Sequence, residues 1–279
     1  MYFSLLRLRN FIQTDFTRSV RVSIKYVAFL DVLGFKNMVE KSPHEKLERV
    51  YQNAFILNAT SSLANGKVIP VKTDQGEYVT PDLSDPLTSC LIVSDSVILW
   101  TENVSMRSFV NIFSAVGKIL VSGFYTGLPM RGGIAIGDLS NLSLNPAAHD
   151  KVLIQSVFGK ALTKAYTIES DQQWAGCAIS EECIDQYNRE ASRLIGTVEN
   201  LATIEHIISQ RILLRYPVPK KNGTREDMWV VNWPRFNRDL PTNQTVVDAF
   251  AMHNKDASHP AVQTKLKNTL AFLNYVTAL

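Results

Sequence analysis

Apolar positions change period several times along the chain, and each change marks an element. Residues 22–30 are β-branched and aromatic without a helical repeat, which predicts a strand. Gly34 then opens a segment whose Leu47, Val50, Phe55 and Leu57 suit one helical face. Residues 65–87 are dense in Gly, Pro and Asp, with Pro70, Gly76, Pro81 and Pro86 as punctuation, and read as a long loop or irregular insertion. Two apolar runs follow, 88–94 and 96–101, joined at Ser94-Asp95-Ser96 as a hairpin that carries Asp95 at its tip. The pattern then predicts a helix over 104–121, a strand over 130–137 with two glycines, and an amphipathic helix over 158–169. A strand–helix step over 176–187, a strand pair around the Lys220-Lys221-Asn222-Gly223 turn and a helical remainder from Thr245 complete the chain. A hairpin interrupting alternating strands and helices favours an α+β fold, a ferredoxin-like split βαβ sheet with helices packed on it. In that arrangement the end of the first strand and the tip of the central hairpin are neighbours.

That neighbourhood matters because each place carries an aspartate at the end of an apolar run: Asp31 in VAFLDVLGF and Asp95 in LIVSDSVILW. Buried carboxylates persist when paired, hydrogen-bonded or bound to a cation. Together the two read as a two-metal carboxylate site; singly, Asp31 as a helix cap and Asp95 as a turn residue are equally open.

With 279 residues, 46% of them hydrophobic, the chain can bury a sizeable core, and a net charge of +3 gives no electrostatic case for a nucleic-acid or membrane surface. Arg7, Arg9, Arg18 and Arg21, interleaved with Leu5, Leu6, Leu8, Phe11 and Ile12, suggest an amphipathic helix over 1–22. Cys90, Cys177 and Cys183 are too few for a disulfide framework or zinc site, so a reducing compartment is expected. No apolar stretch is expected to reach transmembrane length, arginines break any signal-peptide core, and the cytoplasm is the expected location.

Four blocks carry a resemblance. FLDVLGF resembles the first-strand metal motif of the class III nucleotide cyclases, SDS their hairpin aspartate and MRGGIAIGD their later glycine-containing strand. With VFGKALTKAYTIE, the series is most similar to the pyrimidine-nucleotide cyclases of the Pycsar antiphage systems, in the family's order over residues 25–170. The resemblance implies a catalytic domain over 23–218 with 219–279 as its strand and helix extension. It implies two divalent ions, magnesium or manganese, bridged by Asp31 and Asp95 with the Val32 carbonyl as third ligand. It assigns the β- and γ-phosphates to the Gly34 and Phe35 amides, with Arg131 either a phosphate ligand or a structural ion pair.

Where adenylyl cyclases of this class read a purine with a lysine and an aspartate, this chain has Leu91 and Ser156. Where they hold an asparagine and an arginine for the ribose and transition state, it has Thr163 and Thr167, leaving Lys164 or Arg131 as the replacement cation. Tyr166 matches the Pycsar pattern and either narrows the pocket or packs. The implied activity is conversion of UTP to 3′,5′-cyclic UMP and pyrophosphate in antiviral defence, with CTP as alternative substrate and a catalytically silent nucleotide-binding scaffold as alternative role. The resemblance also implies a homodimer with composite sites and a separate effector that reads the product. Val262, Leu266, Leu270 and Leu273 would extend that interface or pack within the chain. A palm-type polymerase would need a basic groove with stacking aromatics, and the dispersed charges here speak against it.

Overall fold

The structure is a computed structural model that describes residues 23–74, 76–144, 154–194 and 204–279. The amphipathic segment expected over 1–22 lies outside the described residues. The first strand, β1 (Ser23–Val32), continues two residues past its apolar run, so Asp31 and Val32 end the strand itself. Gly34 then turns the chain into α1 (Phe35–Lys41), followed by α2 (His44–Val50), a π-helical segment at Tyr51–Ile56 and α3 (Leu57–Leu63). Phe55 is buried as the apolar spacing predicts, but Leu57 is 46% exposed. A π turn holds more residues than an α turn and rotates the phase of the helix beyond it, so Ala59 and Leu63 take the buried positions instead.

Residues 65–87 are not loop throughout. They form a two-stranded hairpin, β2 (Val68–Thr73) with β3 (Gly76–Pro81). Pro70 is tolerated because each strand of an isolated ribbon has a free edge, where a missing N–H costs no ladder bond.

β4 (Ser89–Val93) and β5 (Ser96–Trp100) form the expected hairpin, and α4 (Met106–Tyr125), capped by Ser105 accepting from the Ser108 amide, leads to the long β6 (Met130–Leu144). Within the eight-stranded sheet these stand in the order β4-β5-β1-β6. Every neighbour is antiparallel, which is the split βαβ arrangement. β7 (Ile154–Phe158) pairs with the far end of β6, and α5 (Lys160–Ser170) starts only after it. Phe158 is therefore an exposed strand end, not part of the helix's apolar face; Ala161, Ala165 and Ile168 fill that face.

β8 (Cys177–Ile179) joins β6 in parallel, making the sheet mixed, and α6 (Glu181–Leu194) comes next. After α7 (Ile204–Ser209), β9 (Leu213–Pro219) and β10 (Arg225–Val231) complete the sheet, and α8 (Asn243–Ala251) and α9 (Pro260–Thr277) close the chain. The fold is α+β, with helices on both sheet faces.

On one face α4 and α6 meet β1 through Tyr26, Phe109 and Tyr187, with ring centroids 5.4 and 5.2 Å apart. By length and hydropathy α4 could cross a bilayer, contrary to expectation, yet it is a core helix with Phe109, Ile112 and Leu120 fully buried. Each such side chain contributes about 1.5–3 kcal/mol. α5 covers the other face, and α9 packs within the chain, with Phe272 against Trp174 and Tyr216.

Candidate active site

Strand alternation places Phe29 and Asp31 on the α5 face of β1. Asp31 stands opposite Ser96 of β5 on one side and Arg131 of β6 on the other. Asp95 lies in the two-residue turn between β4 and β5, where Ser94 takes a positive φ of 53°. That tip is pinned from both sides. The Val32 amide donates to the Asp95 carbonyl at 3.1 Å, and the Tyr51 hydroxyl to the Ser94 carbonyl at 2.6 Å. The two aspartates are thus brought together from separate parts of the sequence.

Their electrostatics are those of a mutually repelling acid pair. Burial, then the charges of Asp95 and Glu169, push the Asp31 carboxyl up to about 6; a 3.2 Å hydrogen bond from the Ser96 hydroxyl and the Arg131 guanidinium only partly oppose them. Hard carboxylate oxygens that repel each other fit magnesium or manganese, whose charge would relieve the repulsion. Among the described residues no group of three or more His, Cys, Asp and Glu side chains is assembled; an ion held by these two carboxylates would take its further ligands from main-chain or substrate oxygens. Gly34, three residues on, adopts φ +81°, a left-handed conformation that glycine takes without strain.

Both cations singled out from the sequence are already paired. Arg131 is buried, with Nη2 2.5 Å from Glu169 Oε1, Nε donating to the same oxygen at 2.5 Å, and Nη1 donating to the Gln172 carbonyl at 2.7 Å. Of its two open roles, the structure has the ion pair. Burial nonetheless raises the Glu169 carboxyl above its usual range, against the guanidinium's pull. Lys164 points to Glu182 in the first turn of α6, 2.5 Å away, beside a surface pocket that Lys220 and Asp227 share. Its ammonium is committed there and not to the aspartates.

Tyr166 is 52% exposed and stands edge-on to Phe29 with centroids 5.3 Å apart, so it lies over the Asp31 face. Leu91 is half-buried on the same face, opposite Ile98, which itself faces Phe29. Phe35 is half-buried beside the core at the start of α1. Thr163 and Thr167 are exposed on α5, and their hydroxyls donate back to the Gly159 and Thr163 carbonyls at 3.3 and 2.9 Å. Ser156 is exposed on β7 opposite Leu142, toward the end of β6 remote from Arg131. Within one chain, then, Leu91 and Tyr166 share the sheet face of Asp31, and Ser156 does not join them.

The sequence pattern did not single out Tyr51, which fixes the hairpin tip, or Lys265. The charges of Asp31 and Glu169 act on the Lys265 ammonium, although burial and the neighbouring Arg131 and Lys221 charges outweigh them and lower its pKa. Position beside the apolar stripe of the last helix was the one signal for Lys265; Tyr51 gave none.

No protein-family model matches the chain, and no curated protein does. Solved structures do. The adenylyl cyclase CyaB from P. aeruginosa is similar over 79% of this chain and 98% of its own, at 16% identity and a TM-score of 0.45. The guanylate cyclase domain of RhGC from Catenaria anguillulae, solved in complex with GTP, is similar over 75% of this chain and 97% of its own, at 14% identity and a TM-score of 0.43. A dimeric guanylyl cyclase domain of the RhoGC fusion protein from Blastocladiella emersonii is similar over 75% and 96%, at 14% identity and a TM-score of 0.43. Identities this low leave the chemistry to be argued from the residues of this chain.

Proposed function

We propose that the chain is a metal-dependent nucleotide cyclase that converts UTP to 3′,5′-cyclic UMP and pyrophosphate, generating a second messenger for antiviral defence from the cytoplasm. The observation that carries this reading is the convergence of Asp31 and Asp95 at one sheet end, mutually repelling and held by Ser96 and the pinned hairpin tip. In the reaction the ribose 3′-hydroxyl gives its proton to solvent, its oxygen bonds the α-phosphorus, and the bond from that phosphorus to the bridging oxygen of the β-phosphate breaks with pyrophosphate leaving. Asp31, Asp95 and the Val32 carbonyl would hold the two divalent ions, whose charge would acidify the hydroxyl and offset the developing negative charge. The Ser96 hydroxyl orients the Asp31 carboxylate and the pinned turn fixes the backbone of Asp95, which limits the reorganisation needed as charge shifts. The turn at Gly34 and Phe35 offers main-chain amides to the phosphates.

Uridine specificity rests on the resemblance and on the loss of charge at the base-reading positions, where Leu91 and Ser156 cannot make ionic contacts to a purine. Tyr166, Thr163 and Thr167 line the exposed side of α5, from which a partner subunit would meet the nucleotide in a homodimer with composite sites. A separate cyclic-nucleotide effector would read the product.

The test is incubation of purified protein with manganese and each of the four triphosphates, with mass identification of products. Cyclic UMP and pyrophosphate from UTP are expected. Cyclic CMP would reassign the substrate to CTP, and no pyrophosphate from any of the four would leave a silent nucleotide-binding protein.

A further inference from the structure

A cavity of about 270 Å³ opens beside the Gly34 turn, between the end of β1 and the C-terminal helices, lined among others by Gly34, Asn37, Lys255, His259, Val262 and Lys265. Its charges are unbalanced. Lys255 is buried, and its ammonium donates to the Gly127 and Ala249 carbonyls at 2.6 and 2.7 Å; among the described residues no carboxylate pairs with it. An ammonium has three N–H donors, so one remains. Lys265, half-buried, forms no ion pair with a described residue.

The acid bordering the cavity, Asp256, is committed elsewhere: its Oδ1 accepts from the Ser258 amide and hydroxyl at 3.0 and 2.6 Å, and its Oδ2 faces Lys41 at 3.9 Å. The first turn of α9, an 18-residue helix, also opens onto the space and adds the positive end of its dipole. Burying uncompensated positive charge is costly, and a polyanion would remove that cost.

We propose that this cavity binds the diphosphate end of the nucleotide and the pyrophosphate product, with Lys265 as the principal charge and Lys255 as a buried second donor. The proposal rests on the cyclase reading for the identity of its ligand. It gives the C-terminal helices a part in the active site and supplies, from the same chain, the cation that Arg131 and Lys164 do not. Tetrahedral phosphate groups accept well from ammonium donors, and a pair of them matches two separate lysines.

The test uses the full-length protein without metal, titrated calorimetrically with inorganic pyrophosphate and with tripolyphosphate at low salt. Lys265→Gln is expected to weaken pyrophosphate binding by about tenfold or more. Lys265→Arg, which keeps the charge, should stay within about threefold of the parent. Lys267→Gln, on an exposed position of the same helix, should match the parent, and unchanged melting temperatures would show that each variant is folded. Parental pyrophosphate affinity in Lys265→Gln, or no pyrophosphate binding by the parent, overturns the proposal. If Lys265-dependent binding occurs in a protein that cyclises no triphosphate, the cyclase reading falls and the anion site stands. If cyclisation proceeds and pyrophosphate affinity is undiminished in Lys265→Gln, the site falls and the cyclase reading stands.

Discussion

At the end of β1 a carboxylate is held where its own neighbours repel it. Asparagine at position 31 keeps the shape and the acceptor for Ser96 while removing the charge that burial, Asp95 and Glu169 oppose. Asp31→Asn should therefore raise the stability of the metal-free protein by on the order of 1 kcal/mol, discounted for solvent screening. The same change should lower metal-dependent turnover by at least about 10²-fold. Thermal unfolding in chelator, beside product formation in manganese, checks both; a loss of stability without metal would mean that the carboxylate is structural. Lys255 makes the opposite argument with a cation. Burial lowers its ammonium to about 7, so between that value and its ordinary 10.5 the unfolded chain binds more protons than the folded one. Stability contributed by this residue therefore rises with pH across that interval. In ligand-free protein the parent should gain stability relative to Lys255→Met as pH increases from 7 to 10, measured as the difference between their urea unfolding curves. A constant difference would show that Lys255 does not titrate there.

Among elements, those whose partner lies close in sequence were the most legible. The β4–β5 hairpin, α4 and the β9–β10 pair emerge directly from alternation, helical period and turn residues, because each signal is written within the element. Insertions and phase shifts were not: Gly and Pro in residues 65–87 mark an exposed ribbon whose pairing runs across a turn, and the π segment at Tyr51–Ile56 shifts a helical face without any residue that announces it. The consecutive glycines of β6 show how an element's motif serves packing as well as chemistry. A methyl at Gly132 would come within 2.3 Å of Leu30 Cδ2 on one face, and one at Gly133 within 2.4 Å of the Ala165 carbonyl oxygen on the other. α5 can lie this close over β6 and Phe29 only because Gly133 has no side chain. Gly133→Ala should lift that helix, destabilise the fold by about 1–3 kcal/mol and raise the KM for nucleotide as Tyr166 moves off Phe29. A urea midpoint shift together with steady-state kinetics would test it; an unchanged KM would remove α5 from the nucleotide site.

For the molecule as a whole, the acid half of the candidate site could be read from the chain and the basic half could not. Asp31 and Asp95 stand out because each ends an apolar run, a signal written locally in the sequence. Whether an arginine or lysine is free depends on what the fold brings to it: Glu169 takes Arg131, Glu182 takes Lys164, and Lys255 and Lys265 reach the Gly34 turn only when the last helices fold back over it. The same logic extends beyond one chain. The face carrying Asp31 leaves Tyr166 and Val93 52% and 53% exposed, beside half-buried Phe29 and Leu91, an apolar surface next to the carboxylates. If a second copy covers it, the carboxylates of one subunit and the exposed side of α5 from the other make one site, repeated by two-fold symmetry. Asp31→Ala and Thr163→Trp, the latter placing an indole on the exposed side of α5, would then each be inactive alone. Co-expressed with different tags, they form heterodimers in which one site carries both defects and the other neither. With random pairing half of the dimers are mixed, and recovered activity should be about a quarter of the parent's. Purified heterodimer should show about half. If every site is built within one chain, no mixture recovers activity, and a Thr163→Trp protein that turns over normally would place the nucleotide away from α5.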